Sequence, residues 1–406
     1  MIMNDIQVSL LNYSSLPFNL INPKFRSMVF QKNKTPFFTN IEDSMELTKK
    51  CIENGISWII YQQSLQPDGG IAGYLTFSYG SLKISKSYPE TAGYTIITLL
   101  DYASLFNSET AYNSALKMAE FELKIQNSNG SFNGGTLGYE TGPSVFNSAQ
   151  IADGLLKAYV VNNDKKFLDA ALSACRWISS VQDVEGYWSR FNYLSMKRVY
   201  DTKVSQTLLK ADKITNDNEF FDVVEKNLNW VMSNQNDEGW FNNCDNSVNK
   251  ILSPLTHTIG YTTHGLIECY LIQNNRAWLD SAVKPLKRLL DQFETTKKPL
   301  ASRYFSDWKP ATKSSCITGN SQISLCWLFL YEILNDSRYL NAASGLNNFL
   351  KSLQFISPYK EISGAVPSSY PISGDYHPFA ITNWTVKYYV DSLMLEYKIN
   401  KTLLSQ

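Results

Sequence analysis

Across 406 residues, Lys plus Arg and Asp plus Glu balance at 37 each, and hydrophobic residues make up 44%. This composition leaves no basic footprint for nucleic acid or an anionic membrane surface, and it supplies enough apolar side chain for a large core. The longest apolar stretch, Ile323 to Tyr331 with Ser324 inside it, falls far short of the ~20 residues that span a bilayer.

The opening residues, MIMNDIQVSLLNYSS, have neither a cationic start nor a sustained apolar run, which argues against a secretory signal and for a cytoplasmic protein. Residues 1–42 are expected to form an N-terminal extension packed on the domain built by 43–406. Within that domain one unit recurs six times: an outer helix ending in Gln, a loop rich in Gly and aromatic residues, and an inner helix opening on polar residues. The outer-helix copies align on the aromatic anchors Tyr112, Phe167, Phe220, Trp278 and Tyr339, at intervals of 55, 53, 58 and 61 residues. A helical hairpin cannot bury its apolar face alone, so neighbours must stack, and six of them curve round until the last meets the first. The expected fold class is all-α, an (α/α)6 toroid with an inner and an outer ring. Such a repeat escapes the usual limit of roughly 250–300 residues for one core, because each unit contacts only its neighbours.

In chain order, outer helices are expected over Asp43–Gln62, Ser108–Gln126, Asp164–Gln182, Asp217–Gln235, Arg276–Phe293 and Asp336–Gln354. Inner helices are expected over Thr91–Phe106, Ser144–Val161, Asp201–Thr215, Thr258–Gln273, Gly319–Leu334 and Asn383–Tyr397. Cys51, Cys175, Cys244, Cys269, Cys316 and Cys326 are scattered without a CxxC pair and read as small buried apolar residues. Neither a metal nor a cofactor is expected.

The loops leading into the inner helices would line the mouth of the ring. They are long and aromatic, as in EGYWSRFNYLSMKR, EGWFNNCDNSVNKILSPL and ISGAVPSSYPISGDYHPF. Trp188, Trp240, Tyr376 and Trp384 are candidate platforms for sugar rings, whose C–H faces stack while their hydroxyls hydrogen-bond. The alternative is that these rings simply plug the hole. At the inner-helix starts, Glu90–Thr91, Asn147, Ser148, Tyr200, Asp201, Thr258, Asn320 and Asn383 bring polar side chains to one end of the barrel. Helix capping accounts for Thr91, Ser144 and Asp201, and it accounts poorly for Tyr200, His257 and Tyr261.

The chain has only three histidines. His257 lies at the mouth of the fourth inner helix with Tyr261 four residues on, so the two share a face and form a candidate proton-transfer pair. His264 falls deeper on that face and reads as a core or supporting residue. Asp375 beside His377, or Glu90 after Tyr88-Pro89, is a candidate carboxylate for acid–base work. Arg190 and Arg303 are candidate anchors for a uronate carboxylate or a phosphate, or else surface ion-pair partners.

The repeated Q(D/N)xxG(W/Y) element, present as Gln182 to Trp188 and Gln235 to Phe241, resembles that of two groups of toroid proteins. One is the squalene cyclase and prenyltransferase repeat proteins. The other is the six-hairpin carbohydrate enzymes: unsaturated glucuronyl hydrolases, polysaccharide lyases and the toroid domain of glucuronyl C5-epimerases. The terpene group's DxDD acid motif and zinc set are absent from this sequence. The segments PETAGY, SVFNSAQIADGLL, LTHTIGY, ITGNSQISLCWL and GDYHPFAITNWTVKYY are similar to toroid proteins encoded among bacterial surface-polysaccharide genes. The resemblance implies glycan chemistry on an oligo- or polysaccharide, free or linked to lipid or nucleotide. Two reactions compete. A Tyr/His pair would remove the C5 proton of a uronic acid, giving epimerisation or β-elimination, whereas a carboxylate pair would hydrolyse a glycosidic bond. A non-catalytic glycan-binding scaffold and a terpenoid cyclase-like protein complete the alternatives, and oligomeric state is not legible.

Overall fold

The computed structural model describes residues 14–30, 41–247 and 253–405. In it, twelve long helices alternate between two concentric rings. The outer ring comprises α1 (Ile41–Ser64), α3 (Glu109–Ile125), α5 (Lys165–Ser180), α7 (Phe221–Ser233), α9 (Arg276–Thr296) and α11 (Ser337–Ser352). The inner ring comprises α2 (Pro89–Phe106), α4 (Val145–Asn162), α6 (Thr202–Thr215), α8 (Thr256–Gln273), α10 (Ile317–Leu334) and α12 (Asn383–Leu404). Each inner helix packs on its neighbours in order, and α12 meets α2, so the ring closes. This is the (α/α)6 toroid.

The turn from inner to outer helix is written in two residues. Asn107, Asn163, Asn216, Asn274 and Asn335 each end an inner helix in the left-handed conformation, with φ between 53° and 58°. Asn tolerates this backbone better than other residues with a β-carbon. The next residue then caps the outer helix: Ser108, Asp164, Asn275 and Asp336 accept hydrogen bonds from Ala111, Lys166, Ala277 and Arg338 amides. Three residues beyond that cap position stand the buried anchors Phe167, Phe220, Trp278 and Tyr339. In the first such turn this place belongs to Ala111, fully buried, and Tyr112 is one residue off register and only half-buried.

The recurring Gln at the end of five of the six outer helices is a joint between repeats. Gln126 Nε2 donates to the Gly130 carbonyl (2.9 Å) and to the Ala170 carbonyl of the next outer helix (2.8 Å). Gln182 does the same with Gly186 and Val223, Gln235 with Gly239 and Ser281, and Gln354 with Gly364 and Cys51, which links α11 back to α1. In α1 the joint is made by Gln63, to Gly69 and Ser114, while Gln62 binds the Glu361 carbonyl instead. The α9–α11 joint substitutes an apolar contact, Phe293 lying over Gly345. The joint glycines have positive φ, and four of the five have no room for a side chain: a Cβ on Gly186, at φ +94°, would stand 2.4 Å from the Lys226 carbonyl oxygen.

The described part of the N-terminal segment, 14–30, lies on the ring. Phe25 meets Phe77 and Phe379 at centroid distances of 5.1 and 5.7 Å, and Lys24 pairs with Glu361 at 2.5 Å. The rest of the expected 1–42 extension, apart from 41–42 in α1, lies outside the described residues. Short strands decorate the loops: β1 (Tyr74–Ser78), β2 (Ser81–Ile84), β3 (Ser315–Cys316), β4 (Ser369–Tyr370) and β5 (Ile381–Thr382), ordered β2-β1-β5 and β3-β4. Five inner-to-outer turns are tight, while the outer-to-inner connections are long and gather at the opposite end, over the N-termini of the inner helices. That asymmetry gives the ring one elaborated mouth.

Candidate functional site

His257 is the second residue of α8 and is buried at this mouth. Its Nδ1 lies 2.9 Å from Gln322 Oε1 on α10. An amide oxygen only accepts, so Nδ1 carries the hydrogen and Nε2 keeps the free lone pair. Burial holds the imidazole down at about 4, with the Gln322 contact opposing, so the ring is neutral at pH 7. One turn deeper, Tyr261 lies against it at a centroid distance of 4.4 Å, and Tyr376 covers it at 5.7 Å.

Around this pair runs an aromatic wall. Tyr261 touches Phe146 at 5.2 Å, Tyr388 at 5.9 Å and Tyr200 at 6.3 Å, and Tyr94 meets Tyr388 at 6.1 Å. Opposite stands Glu90, whose Oε2 accepts from the Tyr88 hydroxyl at 2.7 Å. Burial lifts the Glu90 carboxyl to about 7 while the Tyr88 bond pulls the other way, which makes it a proton donor near neutrality. Tyr94, Tyr200 and Tyr261 are all pushed up, first by burial and further by the nearby charge of Glu90. Glu90 therefore lies at the same end of the ring as the His257–Tyr261 pair, and the mouth between them is the candidate chamber. Trp384 Nε1 donates to the Tyr376 hydroxyl at 2.6 Å, and its ring meets His377 at 5.5 Å and Tyr88 at 6.3 Å, roofing the chamber.

Other expected site residues are engaged elsewhere. Arg303 binds Asp375 (Nε to Oδ2, 3.2 Å), Asp245 (Nη1 to Oδ1, 3.3 Å) and the Ser253 carbonyl, and Ser314 also holds Asp375. Both thus form a clasp between loops, with Asp375 paired to Arg303. Arg190 is exposed and lies over Phe191 at 4.9 Å. Asn320 receives the Leu300 amide and donates to the Leu300 and Cys316 carbonyls, and Asn383 bridges Thr95 and the Ala72 carbonyl. Trp188 is no platform: it is fully buried with Nε1 on the Ile178 carbonyl. Trp240 is also buried and packs edge-on against Trp308 at 5.4 Å. Asn147, buried at the start of α4, accepts from the Ser144 hydroxyl. Ser144 caps its helix as expected, whereas Asp201 binds Asn192 Nδ2 at 2.6 Å and Thr91 binds the Tyr88 carbonyl within the helix.

Below the tyrosines lies a charged floor that the sequence reading passed over. Lys210 bridges Asp153 (3.1 Å) and Glu268 (3.0 Å), His264 Nε2 approaches Glu268 at 3.5 Å, and Lys387 pairs with Asp391 at 2.6 Å. Lys203, one turn below Tyr200, hydrogen-bonds Gln206. A lysine inside a nearly all-buried helix was the available signal for it. Among the described residues no three His, Cys, Asp or Glu side chains gather as metal ligands would, all six cysteines are free and buried, and no helix is long and apolar enough to cross a membrane.

No protein-family model and no curated protein matches the sequence. Solved structures match its fold. An unsaturated glucuronyl hydrolase specific for heparin superposes with a TM-score of 0.67 at 13% identity, over 88% of this chain and 98% of the other. A D-mannose isomerase gives 0.68 at 12% identity over 89% and 100%, and a glycosyl hydrolase family 88 protein from Bacteroides vulgatus gives 0.60 at 11% over 86% and 99%. At such identities the likeness is one of fold: all three share the six-hairpin toroid.

Proposed function

We propose that the protein is a carbohydrate-active enzyme that removes the C5 proton of a uronic acid within a glycan, leading to epimerisation or β-elimination. What supports this reading is that two proton-transfer groups of opposite kind lie at one mouth of the ring, a neutral imidazole fixed by Gln322 and a Glu90 carboxyl that titrates at about 7. His257 Nε2 takes the C5 proton, with Tyr261 stacked beside it to hold the ring. Glu90 delivers a proton, either to C5 from the other face or to the leaving O4. The tyrosine wall excludes water from the carbanion-like intermediate and offers hydroxyls to the charge that develops. The fold neighbours that act on glucuronyl and mannose substrates are in keeping with a sugar in this chamber.

Hydrolysis is the second reading, favoured by Glu90 itself, a carboxyl at the mouth with a raised titration point. Its proposed second carboxylate, Asp375, is held by Arg303 and Ser314. The deciding experiment incubates the protein with uronate-containing oligosaccharides in deuterium oxide. Deuterium at C5, or an unsaturated product absorbing in the near ultraviolet, is expected. Release of reducing sugar with neither, lost in Glu90→Gln and kept in His257→Ala, would replace the reading with hydrolysis.

A further inference from the structure

Proton removal beside a carboxylate requires that the carboxylate be held and its charge offset, and neither arginine singled out by the sequence is placed to do so. Arg303 already faces Asp245 and Asp375, and Arg190 faces solvent. The floor of the chamber offers a different cation. Three lysines and three carboxylates line it, but they are unevenly matched: Lys210 touches both Asp153 and Glu268, Lys387 has Asp391, and Lys203 has no carboxylate within 4.0 Å among the described residues. Its one hydrogen-bond partner among them is Gln206 Oε1. Lys203 also lies about 10 Å nearer the mouth than Lys210, seven residues at ~1.5 Å each. Positive charge is thus set toward the mouth and negative charge beneath it.

A second group has the same character. Gln150 follows Asn147 by three residues on α4 and precedes Asp153 by three, on the stripe that faces the lumen, and its Nε2 is buried without an acceptor among the described residues. A buried amide donor left unpaired is costly, and a ligand acceptor would complete it. His257 and Tyr261 keep 6% and 5% of their surface exposed, and Lys203 and Asp153 keep 4% each, whereas Leu155 and Leu208 between the rings keep none.

We propose that Lys203 Nζ and Gln150 Nε2 form the seat of a sugar carboxylate, which enters from the mouth past His257 and Tyr261. The inference rests on the proposed C5 chemistry for its choice of a uronate, and it supplies what that chemistry lacks. With the carboxylate against an ammonium, the negative charge that spreads onto it when C5 loses its proton is offset, and C5 is drawn down toward the imidazole. The N-termini of six inner helices around the mouth add a favourable field for an incoming anion.

The groups facing Lys203 from the elements around it are Asp153 of α4, Lys210 of its own helix, His264, Glu268 and the Cys269 thiol of α8, the Cys326 thiol of α10, and Lys387 of α12. Burial brings Lys203 down to about 8, so the empty seat loses its charge as pH rises through that value. The test titrates the full-length protein with D-glucuronate, D-glucose and D-glucose 6-sulfate, read by tryptophan fluorescence and by thermal melting. Glucuronate should bind at least tenfold more tightly than glucose, weaken at least tenfold in Lys203→Gln and several-fold in Gln150→Leu, and weaken progressively above about pH 8 in the unaltered protein. Equal binding of glucose and glucuronate, or glucuronate affinity unchanged in a folded Lys203→Gln variant, overturns the seat. Tighter binding of the sulfate ester makes it a sulfate seat and overturns the carboxylate assignment. Should Lys203→Gln not fold, Gln150→Leu and the alkaline limb decide. Binding that depends on Lys203 without deuterium entering C5 leaves the seat standing and removes the proposed reaction, while C5 exchange that is indifferent to Lys203 does the reverse.

Discussion

Five of the joints between outer helices repeat the same three partners, an amide, a left-handed glycine and a neighbouring carbonyl. The six inner helices, by contrast, show the lumen six different sets of side chains: Glu90 with Tyr94, Asn147 with Gln150, Tyr200 with Lys203, His257 with Tyr261, Gln322, and Lys387 with Tyr388. The frame is carried by contacts that lie outside the lumen. The lining is therefore free to diverge repeat by repeat, and chemistry arises where the sixfold pattern is broken.

The sharpest separation of the two regions comes from His257→Ala and Tyr261→Phe. His257→Ala should lower kcat/KM by about 10²–10⁴-fold, roughly 3–5 kcal/mol at ~1.4 kcal/mol per decade, and Tyr261→Phe, which keeps the stacked ring and loses only the hydroxyl, by less, both with the melting temperature little changed. A large drop in melting temperature instead would assign the pair to the core. Gly186→Ala should behave the opposite way. The left-handed backbone and the clash with Lys226 should destabilise the fold by roughly 2–4 kcal/mol in urea unfolding, with activity per folded molecule retained. Gln126→Leu strips donors from the Gly130 and Ala170 carbonyls and should cost about 1–3 kcal/mol by the same measurement. Unchanged stability would show that the joint is ornament.

Smaller again is the pH dependence of the lumen. The base form of His257 is lost as pH falls through about 4 and the acid form of Glu90 as it rises through about 7. Activity should form a plateau between these values and fall about tenfold per unit beyond each. Since the Tyr88 hydrogen bond pulls Glu90 down, Tyr88→Phe should move the upper limb to higher pH; a shift to lower pH would contradict the assignment of Glu90 as the acid. The smallest effect is expected at the turns, where Asn216→Gly should change stability by no more than about 0.5 kcal/mol, because Gly adopts the same backbone freely.

The two regions were also unequally legible. Joints recur, and recurrence is visible in one sequence: the Gln-to-Gly loops and the buried anchors from Phe167 to Tyr339 mark the hairpins and their order. The misreadings there are slips of one residue: Tyr112 for Ala111, which burial tells apart, and Gln62 for Gln63, which are both buried and differ only in the carbonyls they bind. The Asn-Asp and Asn-Asn pairs at the turns were equally available and were passed over. In the candidate site, His257 with Tyr261 could be read because both lie on one helix. Gln322 beside His257 and Arg303 on Asp375 lie 65 and 72 residues apart, and no periodicity predicts which inward faces meet across a ring. Trp188 shows the converse error, since an aromatic beside a Gly-rich loop can as well turn inward, and its indole found the Ile178 carbonyl.

The joint from Gln354 to Cys51 gives the assembly no terminal repeat. An open solenoid can unravel from its ends one unit at a time, each step exposing a single interface. Here the release of any hairpin severs two interfaces at once and opens the lumen to solvent, so partial unravelling gains little chain entropy for a doubled loss of contact. The molecule should melt in a single cooperative step, with calorimetric and van't Hoff enthalpies in agreement. Where it first gives way should be the α9–α11 seam, held by Phe293 in place of an amide.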